Sequence, residues 1–375
     1  MAWPTVDINQ VNQLQGETNE IERVLLYVGT GKTNAGKTLA VNTQSDFDVL
    51  LGAGDSVLKS NVNAAMLNAG SNWNGFVHVL AEDGEENAWV DAVLAAQAVG
   101  SFEGVVLLDD IATKTPINKA AELRATLLAK FSRWQWFILS VQPPQDDEAW
   151  PEYLTRVSAL QAQIAAPSVQ LVPRLFGHEP GVLAGRLCSR AVTIADSPAR
   201  VQTGALVSLG SDELPVDGKG TALELATLQA LQAQRFSVPM WYSDYDGYYW
   251  ADGVTLDAEG GDYQAIESLR IADKAARRVR LQAIAKIADR SLNSTPSSIA
   301  AHQAYFAKVL RTMSVASQIN GITFPGEVKP PQDGDVTITW LSATKVAVYI
   351  VIRPYECPKG ITVSLMLDTS LSGSK

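Results

Sequence analysis

Long apolar runs are missing from this chain of 375 residues: the longest uninterrupted one is the seven residues Val346 to Ile352, far short of the roughly 20 needed to span a bilayer as a helix. The start, Met1 to Ile8, has neither a basic cluster nor an apolar signal core, so a soluble, cytoplasmically synthesised protein with nothing cleaved is expected. Cysteine is scarce. Cys188 and Cys357 stand far apart, which excludes a disulfide framework and suits a reducing compartment. The three histidines, His78, His178 and His302, show no H-x-x-x-H or H-E-x-x-H spacing, so no metal site is expected. No G-x-S-x-G elbow occurs. Acid pairs such as Asp109-Asp110, Asp146-Asp147 and Asp244 with Asp246 read as solvated loop acids before they read as acid/base catalysts. Repeats of 20 to 50 residues are also lacking.

What is present is an ordinary globular composition, 46% hydrophobic with a formal net charge of -10. The length suffices for two or three domains, and the charge repels phosphate backbones, so no nucleic-acid partner is expected. Strand-like runs at Arg23–Val28, Leu39–Thr43, Gly75–Leu80, Val105–Leu108, Trp134–Val141 and Val169–Pro173 alternate with helix-like ones at Ser45–Gly52, Asn61–Ala69, Trp89–Ala98, Asn118–Lys130 and Glu152–Ala165. A small-residue helix at Gly181–Ala191 follows. This alternation predicts a layered, largely parallel α/β domain. The Gly-, Pro- and acid-bearing stretch Asp196–Gly220 is the expected domain boundary.

One motif invites an ATPase reading. Gly31-Lys32-Thr33-Asn34-Ala35-Gly36-Lys37-Thr38 satisfies G-x-x-x-x-G-K-[ST], and Val105 to Asp110 has the form of a magnesium-binding strand. In such a site Lys37 would reach the outer phosphates, and Thr38 with Asp109 would hold the metal. The residues after Thr38 argue against it. A phosphate loop must open a helix whose amides face the anion, whereas Leu39-Ala40-Val41-Asn42-Thr43 is a poor helix former and a helix signal restarts at Ser45, read as an N-cap. The competing reading is a hairpin loop between two strands.

In the last third, Trp241, Tyr242, Tyr245, Tyr248, Tyr249 and Trp250 crowd ten residues. They read as a domain or subunit contact, with stacking on sugars or bases as the alternative. Between Glu267 and Arg290 seven basic residues face three acidic ones. At 100° per residue Ile266, Leu269, Ala272, Ala276, Val279, Ala283 and Ile287 share one side of a helix and Arg270, Lys274, Arg277 and Arg278 the other. That predicts a buried stripe with a basic outer face, either solvated, with Glu267 pairing Arg270, or meeting an acidic partner. A second helix around Ser297–Thr312 and strand-like runs at Val336–Val351 and Ile361–Leu367 close the chain. The last run lacks an evident partner, as do Val6 and Ile8 at the start, and loose strands at both ends suit strand addition between copies.

The order and type of these segments resemble those of contractile tail sheath proteins, the outer-cylinder subunits of contractile phage tails and bacteriocin particles. The likeness rests on Arg23–Gly29 followed by Thr43–Gly52 with Phe47 and Gly52, on Trp241 through Gly253 to Arg270 and Arg277, and on Val348–Pro354 with Ile361–Leu367. The glycine-valine opening of larger sheath proteins is missing before Val6. The resemblance implies a mixed α/β protein: an N-terminal arm (1–20), an α/β domain (21–200), a C-terminal sheath-type α/β domain (201–355) and a C-terminal arm (356–375). It implies a non-enzymatic subunit without cofactors, polymerising with itself as stacked rings around an inner tail tube and contracting by rigid-body rearrangement. Its further partners would be baseplate and tail-end proteins, its place a virion tail or a bacteriocin particle, assembled in the bacterial host cytoplasm. Val6, Ile8, Ile361, Val363, Leu365 and Leu367 would then pair with neighbouring subunits, and Arg270, Lys274, Arg277 and Arg278 would face the tube. About 18 extended residues reach on the order of 60 Å, enough to cross to a neighbour.

Overall fold

The computed structural model describes residues 20–85 and 87–367. Val6 and Ile8, and the expected N-terminal arm up to residue 19, lie outside the described residues. The chain forms β1 (Leu25–Thr30), β2 (Thr38–Asn42), α1 (Phe47–Leu51), α2 (Val57–Ala69), β3 (Asn74–Leu80), α3 (Ala88–Ala96), β4 (Gly104–Ile111), α4 (Thr115–Phe131), β5 (Trp136–Val141), α5 (Trp150–Gln161), β6 (Val169–Pro173) and α6 (Glu179–Cys188). Six strands make one sheet in the order β2-β3-β1-β4-β5-β6. All neighbours run parallel except β2, which is antiparallel to β3. The apolar runs explain this: β1, β4, β5 and β6 are buried along nearly their whole length, as strands covered by helices on both faces must be. The predicted layered α/β domain is the observed one.

Two details differ from the sequence expectation. The glycine loop does not close a hairpin, because β3 lies between β1 and β2, and β2 pairs with the far edge of β3. The first helix is capped by Asp46, whose carboxylate accepts from Asp48 and Val49 N–H at 3.0 and 3.1 Å, while Ser45 bonds back to Asn42. Asp46 prevails because its carboxylate spans two free amides of the first turn.

The small residues of α6 have a specific use. A Cβ on Gly181 would lie 2.1 Å from the Asn61 carbonyl oxygen, and one on Gly185 2.3 Å from that of Ala65. The two glycines, one turn apart, therefore let α6 press its backbone onto α2, and Gly181 N–H donates to Asn61 Oδ1 at 2.9 Å.

The first core does not stop at residue 200. It continues through α7 (Leu225–Ala233), the antiparallel hairpin β7 (Pro239–Tyr242) and β8 (Tyr245–Trp250), and Leu256. The boundary expected at 201 therefore moves to about residue 260, because Leu206, Leu223, Phe236 and Trp250 bury their apolar area against the sheet domain. Next come α8 (Ile266–Ile284), α9 (Pro296–Met313), the short pair β9 (Ser317–Ile319) and β10 (Ile322–Phe324), and a hairpin of β11 (Val336–Ser342) and β12 (Lys345–Ile350). Here α9 and the hairpin share a small core of Phe306, Ala307, Val336 and Ile338. The start of α8 ties the two units together. Ile266 and Leu269 join the sheet core, while Ile271 and Ala275 join a cluster with Val309, Met313 and Val328.

Candidate assembly interface

The basic helix is turned inward. The first half of α8 is buried all round, and its cations meet carboxylates from distant parts of the chain. Arg270, 2% exposed, donates from Nε and Nη2 to the two Glu103 oxygens at 2.6 and 2.8 Å, and its guanidinium sits over the Trp136 ring. Lys274 reaches Glu327 at 2.6 Å and Arg277 reaches Glu22 at 2.6 Å. Asp273 of the same helix takes both Arg124 amines, at 3.0 and 2.7 Å. Burial by itself would raise the Glu103 and Glu22 carboxyls, yet the facing guanidiniums hold both below their ordinary values.

The expected basic outer face is thus corrected for Arg270, Lys274 and Arg277, which lie inside the junction. Arg278, half-buried, has no ion-pair partner among the described residues. Nor does Glu267 pair with Arg270. It faces Lys359 at 3.1 Å. The cause is tertiary: helical periodicity sorts faces but does not say that a second domain covers the polar one.

This arrangement fixes both ends of the folded body on one helix. Glu22, two residues inside the described start, is held at the fourth turn of α8 by Arg277, and Arg23 N–H bonds Glu103 at 2.7 Å. At the first turn Lys359 bridges Glu267 and Asp252. Burial would discharge this ammonium, but the two carboxylates raise its pKa. The two anchor points, Glu267 and Arg277, are about 15 Å apart along the helix axis.

Beyond Lys359 the chain leaves the body. Residues 361–367 form no strand within the chain, and Ile361, Val363, Leu365 and Leu367 are 80, 73, 91 and 88% exposed. Alternate positions of an extended segment share one face, so all four point the same way when the segment is drawn into a sheet. The hairpin β11–β12 forms a two-stranded sheet by itself. One face packs on α9 through Val336 and Ile338, and the outer edge of each strand has no ladder partner among the described residues.

The glycine loop offers no phosphate cradle. Thr38 begins strand β2, with no helix opening there. Two amides a phosphate would need are engaged, Gly31 and Gly36 N–H donating to Leu80 and Val79 carbonyls at 3.0 and 2.8 Å. Lys37 bonds Asn34, Thr38 bonds His78 Nδ1 at 2.8 Å, and Asp109 accepts from Thr30. Lys37, Thr38 and Asp109 therefore serve local structure, and the nucleotide reading has no support. Among the described residues no group of three or more His, Cys, Asp or Glu is placed to hold a metal ion, and no helix is long and apolar enough to cross a membrane. The aromatic segment divides. Trp250 and Tyr249 are buried and Tyr248 stacks edgewise on Phe176, while Tyr242 and Tyr245 stand exposed at the hairpin tip.

A doubly wound sheet domain joined through one long helix to a helix-and-hairpin domain is the fold of the tail sheath class. It matches a chain of the anti-feeding prophage baseplate in the contracted state, covering 98% of this chain and 99% of that one with a TM-score of 0.62 at 13% identity. It also matches the sheath tail protein of Listeria innocua, covering 90% and 93% with a TM-score of 0.55 at 9% identity. In sequence it is 55% identical over 376 residues, 99% of this chain and 100% of the other, to a protein assigned as a tail sheath protein of Haemophilus phage HP1 (strain HP1c1). Residues 3–254 match DUF2586, N-terminal domain, and residues 262–370 match DUF2586, C-terminal domain; the chain belongs to the DUF2586 family of tail sheath proteins.

Proposed function

We propose that the protein is a non-enzymatic sheath subunit that polymerises as stacked rings around an inner tail tube by exchanging its terminal segments with neighbouring copies. The observation that carries this reading is the pairing of a donor with an acceptor. Residues 361–367 present four apolar side chains at alternate positions without a partner, and β11–β12 presents two strand edges without a ladder partner among the described residues. Strand addition satisfies the backbone groups of donor and edge together. Each of Ile361, Val363, Leu365 and Leu367 would contribute about 1.5–3 kcal/mol on full burial, before the cost of ordering the segment. The N-terminal segment, with Val6 and Ile8, takes the second edge.

Contraction on this reading is a rigid-body rearrangement of subunits that stay linked by their arms. The buried pairs Arg270–Glu103, Arg277–Glu22 and Asp273–Arg124 support it, because they bind the two domains of a subunit into one body. The tube contact falls to Arg278, the one of the four expected cations without a partner in the junction. Assembly takes place in the host cytoplasm, with the tube, baseplate and tail-end proteins as further partners. Sedimentation and electron microscopy of the purified chain test the proposal. Tubes or helical polymers that vanish on removal of residues 361–375 support it. A variant lacking both arms that polymerises like the full chain overturns it.

A further inference from the structure

The sheet of the first domain has two ends with opposite chemistry. At the end where the parallel strands begin, the last turns of α8 lie beside Ser101 and residues 131–134, which precede β4 and β5. There Leu281, Ile284 and Ile287 face solvent. Arg280 on the same helix and Arg290 just after it are exposed and have no ion-pair partner among the described residues, Asp289 being taken by Lys286.

The other end is acidic and aromatic. Phe236 bridges Leu171 of β6 in parallel, so the chain runs past the end of β6 into β7 and turns at residues 243–244. Tyr248 meets Phe176, which follows β6, with ring centroids 5.1 Å apart. Tyr242 and Tyr245 project at this tip with Asp244 and Asp246, all exposed. The acidic loops at Glu82–Glu85 and Asp146–Asp147 carry no exposed aromatic ring.

We infer that the exposed end of α8 docks on the β7–β8 tip of a second copy. The inference rests on the self-assembly reading above and adds to it a contact that is separate from arm exchange. Guanidinium groups pair with carboxylates and stack on aromatic faces, so Arg280 and Arg290 complement Asp244, Asp246 and the two tyrosine rings, while Leu281 and Ile284 bury against them. A strand of six residues is about 20 Å long, so one chain does not bring its own two ends together. A contact between unlike patches repeats from copy to copy without limit unless the rotation closes a ring. The overall charge favours the same approach. Residues 262–375 hold 14 basic and 9 acidic side chains, residues 1–261 hold 16 and 31, and opposite fields steer the second domain of one copy to the first of another.

The test uses the full chain carrying Cys357→Ser. Tyr245→Cys combined with Ile284→Cys is expected to give a disulfide ladder between copies in polymer under oxidation. Arg280→Glu with Arg290→Glu, or Asp244→Lys with Asp246→Lys, is expected to cut the sedimenting fraction at least tenfold, and the four changes together to restore it. Polymer that forms without the ladder and is indifferent to both reversals overturns this contact and leaves arm exchange standing. A wild-type chain that stays monomeric at every concentration overturns the self-assembly reading and this contact with it.

Discussion

Arg270 Nε lies 2.6 Å from Glu103 Oε1, with the two side chains 2% and 1% exposed, although 167 positions separate them in the chain. The pair joins the basic helix of the second domain to the loop entering the central strand β4 of the first. Removing one partner leaves a buried charge uncompensated, which costs about 3–5 kcal/mol. Arg270→Met is therefore expected to lower stability by that amount. Arg270→Met with Glu103→Gln recovers most of the loss, since glutamine still accepts the Arg23 N–H. Urea unfolding of the wild type, both single variants and the double variant measures the coupling, and additive losses would contradict it.

The same pair sets a pH dependence. The Glu103 pKa is depressed in the folded state, so its contribution is complete above the unfolded value of about 4.3 and is lost as pH falls through the folded value. Asp273 and Glu267, raised by burial, act in the opposite sense, so the informative quantity is the difference between wild type and Arg270→Met. In the variant the unpaired, buried Glu103 carboxyl titrates upward. Acidification from pH 7 to 5 is expected to raise its urea midpoint relative to that of the wild type.

Gly181 and Gly185 hold α6 against α2. Alanine at either position meets backbone rather than a movable side chain, and forced repacking costs about 1–3 kcal/mol or more. Gly181→Ala is expected to lose thermal stability, whereas Gly54→Ala, where a Cβ meets nothing within 4 Å, is expected to leave the midpoint nearly unchanged. Equal midpoints for the two variants would remove the close-approach argument.

Truncation after Gly360 removes Ile361 to Leu367, which are exposed and belong to no core cluster, together with residues 368–375. The monomer is expected to unfold at its full-length temperature while polymer disappears from sedimentation. Loss of stability in the truncated monomer would mean that the segment folds back on its own chain.

Lys37→Ala deletes one exposed bond to Asn34 and is expected to change stability by less than about 0.5 kcal/mol. Equilibrium dialysis with labelled ATP is expected to detect no saturable binding to the wild type. Binding abolished by this substitution would reinstate a nucleotide site.

The alternation of buried strands and amphipathic helices was legible in the sequence because burial on two faces demands uninterrupted apolar runs, as in Val105–Leu108. The strand after Thr38 was legible too, since β-branched residues and Asn42 disfavour the helix a phosphate loop needs. The unpartnered character of Ile361–Leu367 was visible for the same local reason. Periodicity could not say which face of α8 meets solvent. Glu22, Glu103, Arg124 and Glu327 are brought to that helix by the chain's path, so charges that look like a surface patch along the sequence become an internal seam. The domain boundary was misplaced on the same ground, because Phe236 and Trp250 reveal their core only after the sheet exists. Local composition determined the elements and the unpaired run Ile361–Leu367, while long-range pairing decided which charges are buried and which remain to meet another molecule.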